Sequence, residues 1–128
     1  MDLKNTFKKL ILINLLLIIT VIFLSVFLDE SEQVFNFYEN DDTSNFLLIL
    51  ILIYIFIYFT SCFLLYKFKK IGKILYLISF IFSGFIVLME GPVALDSLIY
   101  LIDGLYMAAS GAILTFLYFT PIKKEFDK

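Results

Sequence analysis

The chain contains no histidine, no tryptophan and no arginine, and Cys62 is its only cysteine. One thiol cannot form an intrachain disulfide or a paired-thiol redox centre. Without imidazole, and with a single sulfur ligand, zinc, haem and iron–sulfur sites lose their usual donors, so no metal and no cofactor is expected. There is no Ser–His or Cys–His pair and no glycine-rich phosphate loop, so an enzyme is not expected either. Charge is also scarce, at 17% of 128 residues, where soluble domains carry about 25%. Disorder needs a chain poor in apolar residues, and this one is 62% hydrophobic and 19% aromatic. The composition is that of a small integral membrane protein.

Four runs of sequence are nearly free of charge: residues 10–28, 46–66, 71–90 and 98–120. A spanning helix needs roughly 20 mostly apolar residues. The third run reaches that length when Lys73 snorkels to the surface, and the fourth carries one acid, Asp103. Runs this long without period-2 alternation predict helices rather than barrel strands. The connections between spans two and three and between spans three and four are short, the latter broken by Gly91-Pro92. Short connections join antiparallel neighbours. The expected fold is all-α: a single transmembrane domain built as an up-down-up-down four-helix bundle.

The basic residues, all lysine, fall on one side of this scheme. Lys4, Lys8 and Lys9 precede span one; Lys67, Lys69, Lys70 and Lys73 join spans two and three; Lys123, Lys124 and Lys128 follow span four. The other side holds nine acids and no base, for a net of −9 against +7. Lysine and arginine in short loops set membrane orientation, so both termini are expected in the cytoplasm. The basic start of span one suits a signal segment, but its apolar run is long and lacks a small-residue cleavage site, which predicts an uncleaved anchor. Lysine as the sole base, with abundant Ile, Phe, Asn and Tyr, suggests an AT-rich genome, and the topology suits a bacterial inner membrane.

Helices in lipid associate through close packing and a few polar contacts. Gly104, Ala108 and Ala112 repeat at i, i+4, i+8, with Gly111 and Thr115 beside them; Ser79 and Ser83 repeat at i, i+4, with Gly84 adjacent. These patterns predict that spans three and four form the tightest hairpin, or else that the stripe pairs two protomers. Polar side chains also line up: Asn14 and Ser25 on span one; Tyr54, Tyr58, Ser61 and Cys62 on span two; Tyr76, Ser79, Ser83 and Glu90 on span three; Asp96, Tyr100, Asp103, Met107 and Ser110 on span four. Inward-facing stripes would give the bundle a modestly polar axis, held by ordinary interhelical hydrogen bonds. Tyr66, Tyr76, Tyr100 and Tyr118 fall near expected interfaces, as in aromatic belts.

Asp103 is the one expensive residue. It is expected about one turn inside the outer interface, roughly 5 Å deep, with no cation on its side of the chain. Four resolutions stand open: a bound proton, hydrogen bonds from Tyr54, Tyr100 or Ser83, a water-filled vestibule, or a cation from a partner or solution. Glu90 and Asp96 flank the third connection, either as solvated acids or, with Asp103, as an acidic mouth. The outer acidic loop, residues 29–45, surrounds Val34, Phe35, Phe37 and Tyr38, spaced for a short surface helix; residues 40–45 read as a turn in which Thr43 or Ser44 caps span two. The lysine clusters are explained by topology, and no nucleic-acid partner is expected.

Two functions fit. The first is a non-enzymatic membrane protein working through protein contacts, such as an accessory or assembly subunit or an immunity-type protein, with a membrane or periplasmic partner. The second is a small oligomeric cation- or proton-coupled transporter or channel using Asp103, since one bundle this small has little room for a pathway. A homo-oligomer fits either reading.

Overall fold

A computed structural model describes residues 2–28, 41–90 and 97–127. Helix α1 covers Leu3–Leu28, α2 Asp41–Tyr66, α3 Lys70–Glu90 and α4 Ser97–Phe119, and a 3-10 turn, Pro121–Glu125, follows. No strand is present among the described residues. All four helices are long and apolar enough to cross a membrane. At 1.5 Å per residue the 26-residue α1 and α2 are each about 39 Å long, more than the ~30 Å of hydrocarbon. Helix α1 therefore runs outward through Lys4, Lys8 and Lys9, whose long stems let the charge leave the apolar layer.

The start of α2 differs from expectation. Residues 41–45 are helical, not a turn, so neither Thr43 nor Ser44 ends the helix. Acidic residues are favoured in a first helical turn by the positive end of the helix dipole, and Asp41 and Asp42 stand there. The expected surface helix around Val34–Tyr38 lies outside the described residues, as do Asp96 and the side chain of Glu90.

Helix pairing also departs from the small-residue argument. Helix α2 packs most closely along α3, and α1 along α4; α3 and α4 touch only sparingly. A Cβ built on Gly84, Gly104 or Gly111 would meet nothing within 4 Å, and Gly104 and Ala108 are exposed, with Gly111 and Ala112 half-exposed. The stripe on α4 thus does not bring α3 against α4. Small residues permit a close approach, but none of the described residues occupies it. Ser79 is buried and Ser83 half-buried, each with its hydroxyl bonded to a carbonyl of its own helix, Tyr76 and Phe80 respectively.

The close approach is at Gly72. A Cβ there would lie 2.7 Å from Leu64 Cβ and 2.8 Å from the Leu65 backbone nitrogen. The first turn of α3 is pressed onto the last turn of α2, and only hydrogen fits between them. The three residues joining these helices explain how they come so near. The Lys69 N–H donates to the Leu64 carbonyl and the Phe68 N–H to the Leu65 carbonyl, both at 2.9 Å. This is the Schellman pattern that ends a helix on a left-handed residue, usually glycine. Phe68 takes that role with φ 54, a conformation that costs a bulky residue about 1–2 kcal/mol. Its ring offsets the strain by packing 6.0 Å from Phe7 and 5.3 Å from Phe126.

Those rings belong to an aromatic layer that closes one end of the molecule. Phe7 also stacks 6.1 Å from Phe116 and meets Phe126 edge-on at 5.9 Å. Phe126 arrives because Thr120, before Pro121, is extended (φ −112, ψ 163), which turns the chain back under the helices as a residue preceding proline prefers. Lysines frame the layer. Lys8 lies 4.8 Å from the Tyr66 ring centre, Lys73 4.5 Å from that of Tyr118, and Lys4 pairs with Glu125 at 2.8 Å.

Gly72→Ala is expected to destabilise the fold by roughly 1–3 kcal/mol through overpacking against backbone. Gly104→Ala, with open space around it, should be neutral or gain up to about 1 kcal/mol of helix propensity. Unfolding of both variants in detergent micelles checks the contrast, and equal effects would refute the packing described.

Candidate functional site

Above the aromatic layer the interior turns polar. The seam of α4 runs Ile99, Asp103, Tyr106, Ser110, Ile113, Leu117, spaced 4, 3, 4, 3, 4. All are buried except Asp103, which is half-buried. This spacing keeps one face of a helix turned to its neighbours. The stripe expected from sequence shares Asp103 and Ser110 with this seam but runs through Tyr100 and Met107 where Ile99 and Tyr106 stand. Tyr100 is 72% exposed and faces outward, while Tyr106 takes the inner place. Sequence reasoning missed Tyr106, although the heptad spacing of Ile99, Asp103, Tyr106, Ser110, Ile113 and Leu117 was its signal.

Two hydrogen-bonded clusters tie the helices together on this seam. Asn14 of α1 donates from Nδ2 to the Tyr76 hydroxyl of α3 at 2.7 Å and to Ser110 Oγ of α4 at 3.2 Å, and Ser110 donates back to Asn14 Oδ1 at 3.3 Å. All three side chains are buried. Tyr76 is therefore an interior residue and not part of an interfacial belt. One turn away, the hydroxyls of Tyr54 on α2 and Tyr106 on α4 share a 2.6 Å hydrogen bond. Such contacts in lipid are worth about 0.6 kcal/mol on average and rarely beyond ~1.7.

Tyr58 stands between the clusters. Its ring lies 5.9 Å from Tyr54, 6.1 Å from Tyr76 and 6.0 Å from Tyr106, with ordinary aromatic spacing. Its hydroxyl is the single buried side-chain polar atom among the described residues with no hydrogen-bond partner. The buried Cys62 thiol stands one turn along α2 and is a weak hydrogen-bonding group. Ser61, also buried, turns its hydroxyl onto the Tyr58 carbonyl at 2.7 Å. The span-two stripe of Tyr54, Tyr58, Ser61 and Cys62 thus lies inside.

Asp103 is the upper end of this column. Seven residues from Ser110, it stands about 10 Å further along α4. None of the expected donors serves it: Tyr54 bonds Tyr106, Ser83 bonds its own helix, and Tyr100 points away. No cation or donor among the described residues contacts its carboxylate. No group of three or more metal-binding side chains occurs among them either. The column can accept and relay hydrogen bonds, but the tyrosine rings fill it, and the phenylalanine layer closes its lower end. Nothing in it offers a nucleophile beside a base.

Tyr58→Phe is expected to be neutral or to stabilise, because it removes a buried hydroxyl that has no partner. Tyr54→Phe should cost on the order of 1 kcal/mol by stranding Tyr106. Thermal unfolding of the two variants in detergent separates them, and the opposite ranking would mean that Tyr58 holds a bonded partner. No protein-family model, no curated protein and no solved structure matches this chain.

Proposed function

We propose that this is a small, non-enzymatic, multi-pass inner-membrane protein that works through helix–helix contacts, as an accessory or assembly subunit or an immunity-type protein. The helices alternate up and down with both termini in the cytoplasm. The ten-to-zero division of lysines supports that orientation, and so do the contacts that gather Lys4, Lys8 and Lys73 around one aromatic end. The observation that carries the functional reading is the unfilled small-residue face of α4. Gly104 and Ala108 are exposed, Gly111 has open space at its Cβ position, and α3 and α4 scarcely touch beside them. A spanning helix from a membrane partner, or from a second copy, gains backbone-close packing there that lipid cannot match. The interior adds support, because Asn14, Tyr76 and Ser110 bond to one another, as do Tyr54 and Tyr106.

A photo-crosslinking residue placed at position 104 or 108 is expected to yield a discrete protein adduct in the native membrane. The same residue at Leu16, 66% exposed on α1, should yield only lipid. The mass of the adduct distinguishes a second copy from another protein. With the crosslinker moved to Leu105, 53% exposed beside them, Gly104→Leu with Ala108→Leu should abolish the adduct without lowering the unfolding temperature, and lipid adducts alone at positions 104, 105 and 108 would overturn the proposal.

One observation favours a second reading, cation- or proton-coupled transport. Asp103 lies on the inward seam with no compensating partner among the described residues, where an ionisable group is costly. On that reading, proteoliposomes carrying the chain show a cation or proton flux that Asp103→Asn abolishes. On the contact reading, neither the parent nor the variant shows flux.

A further inference from the structure

At the lysine-bearing end an open groove of about 580 Å³ separates the α2–α3 turn from the chain that follows the 3-10 turn. Its volume is within the ~300–1,000 Å³ range of small-molecule sites. The two walls carry opposite charge. On one side stand Lys67, Lys69 and Lys70, and on the other Glu125 and Asp127. The floor is apolar and fixed, because Phe68 and Phe126 lie ring to ring at 5.3 Å and Phe126 is only 3% exposed. Phe68, with its strained φ, joins Lys67 to Lys69 along the lysine wall. Helix α3 begins at Lys70 within the lining, so the positive end of its dipole adds to the lysine wall.

Orientation in a membrane accounts for the lysines. It does not account for carboxylates facing them across a groove with a greasy floor. A purely anionic headgroup would satisfy one wall and be repelled by the other. A zwitterion with a phosphate at one end and a hydrogen-bonding ammonium at the other satisfies both. The groove lies at the ends of α2 and α3, at the level where lipid headgroups meet a spanning helix. We propose that it binds the phosphoethanolamine headgroup of a bilayer lipid, with phosphate on the lysine wall and the primary ammonium on Asp127 and Glu125. Glu125 already pairs with Lys4 at 2.8 Å, so Asp127 is the carboxylate that selects the ammonium. The assignment rests on the reading that the four helices span a bilayer.

The full chain is purified in micelles doped with phosphatidylethanolamine, phosphatidylcholine or phosphatidylglycerol of matched acyl chains, and retained lipid is counted by native mass spectrometry. Phosphatidylethanolamine is expected to exceed phosphatidylcholine by about tenfold, the weight of one charge-assisted hydrogen bond that a trimethylated nitrogen cannot donate. Phosphatidylglycerol should fall below phosphatidylethanolamine. Asp127→Asn should erase the preference for ethanolamine over choline, and Lys69→Gln with Lys70→Gln should lower retention of both. Circular dichroism confirms that these exposed substitutions leave the helices intact. Equal retention of ethanolamine and choline lipids, phosphatidylglycerol above phosphatidylethanolamine, or an unchanged preference in Asp127→Asn would overturn the assignment. So would displacement of the lipid by soluble phosphoethanolamine at equal concentration, which would make the free compound the ligand. A fold kept in every lipid with no preference removes the groove assignment alone. A fold lost in every lipid, reconstituted bilayers included, removes the membrane placement and the groove together.

Discussion

Hydrocarbon offers a polar side chain no hydrogen-bond partner, so every such group on a spanning helix has to find one within the protein. Two solutions appear here. Hydroxyls with short reach close on their own helix: Thr20 on the Leu16 carbonyl, Thr60 on Phe56 and Thr115 on Gly111, at 2.8, 2.8 and 2.9 Å. These residues can sit on an outer or half-open face because they ask nothing of a neighbour. Asn14, Tyr54, Tyr58, Tyr76 and Tyr106 cannot do this, and they gather inside. Asn14 turns the inner face of α1 toward α3 and α4, and the Tyr54–Tyr106 bond holds α2 to α4. The rotation of each helix follows from where its unsatisfiable groups lie. Leucine and isoleucine, equally content in lipid or protein, do not set it.

Asp103 belongs to the same logic and breaks it. It occupies the inner seam, yet its oxygens can only accept hydrogen bonds when ionised, and the N–H groups of its own helix are already engaged. Against this, the opposite end is over-determined. Phe7, Phe68, Phe116 and Phe126 interlock, and lysine ammonium groups rest over aromatic faces at their margin, a contact worth about 0.5–1 kcal/mol at exposed sites. One end of the described helices is closed by aromatic rings, and toward the other Asp103 stands on the inner seam without a partner among the described residues.

The spans were legible because charge is missing over long runs, and helix ends moved only where lysine stems or aspartates tolerate extension. The inward turn of Tyr58, Ser61, Cys62, Tyr76 and Asn14 could be read from their shared faces. The register of α4 was harder, because Tyr100 and Tyr106 compete for the same inner stripe and only the apolar spacing of Ile99, Ile113 and Leu117 decides between them. The pairing of α3 with α4 was misjudged because small residues show where a backbone can approach, not whether one does. Gly72, between Lys70 and Lys73, drew no reading from the sequence, yet it is where α3 comes hard against α2. Nothing in the sequence signals that a phenylalanine takes the left-handed position at the end of α2, since only the rings around it make that conformation worthwhile.

Pairing α1 with α4 joins helices that lie far apart in the sequence. Until α4 packs against α1, Asn14 has Tyr76 but not Ser110, and Phe7 has Phe68 but neither Phe116 nor Phe126. The first turns of α1 are thus a clasp half closed by α2 and α3 and completed by α4. A chain lacking α4 would keep the Asn14–Tyr76 bond and the Phe7–Phe68 contact and lose the rest, so its α1 would be loosely held rather than unheld.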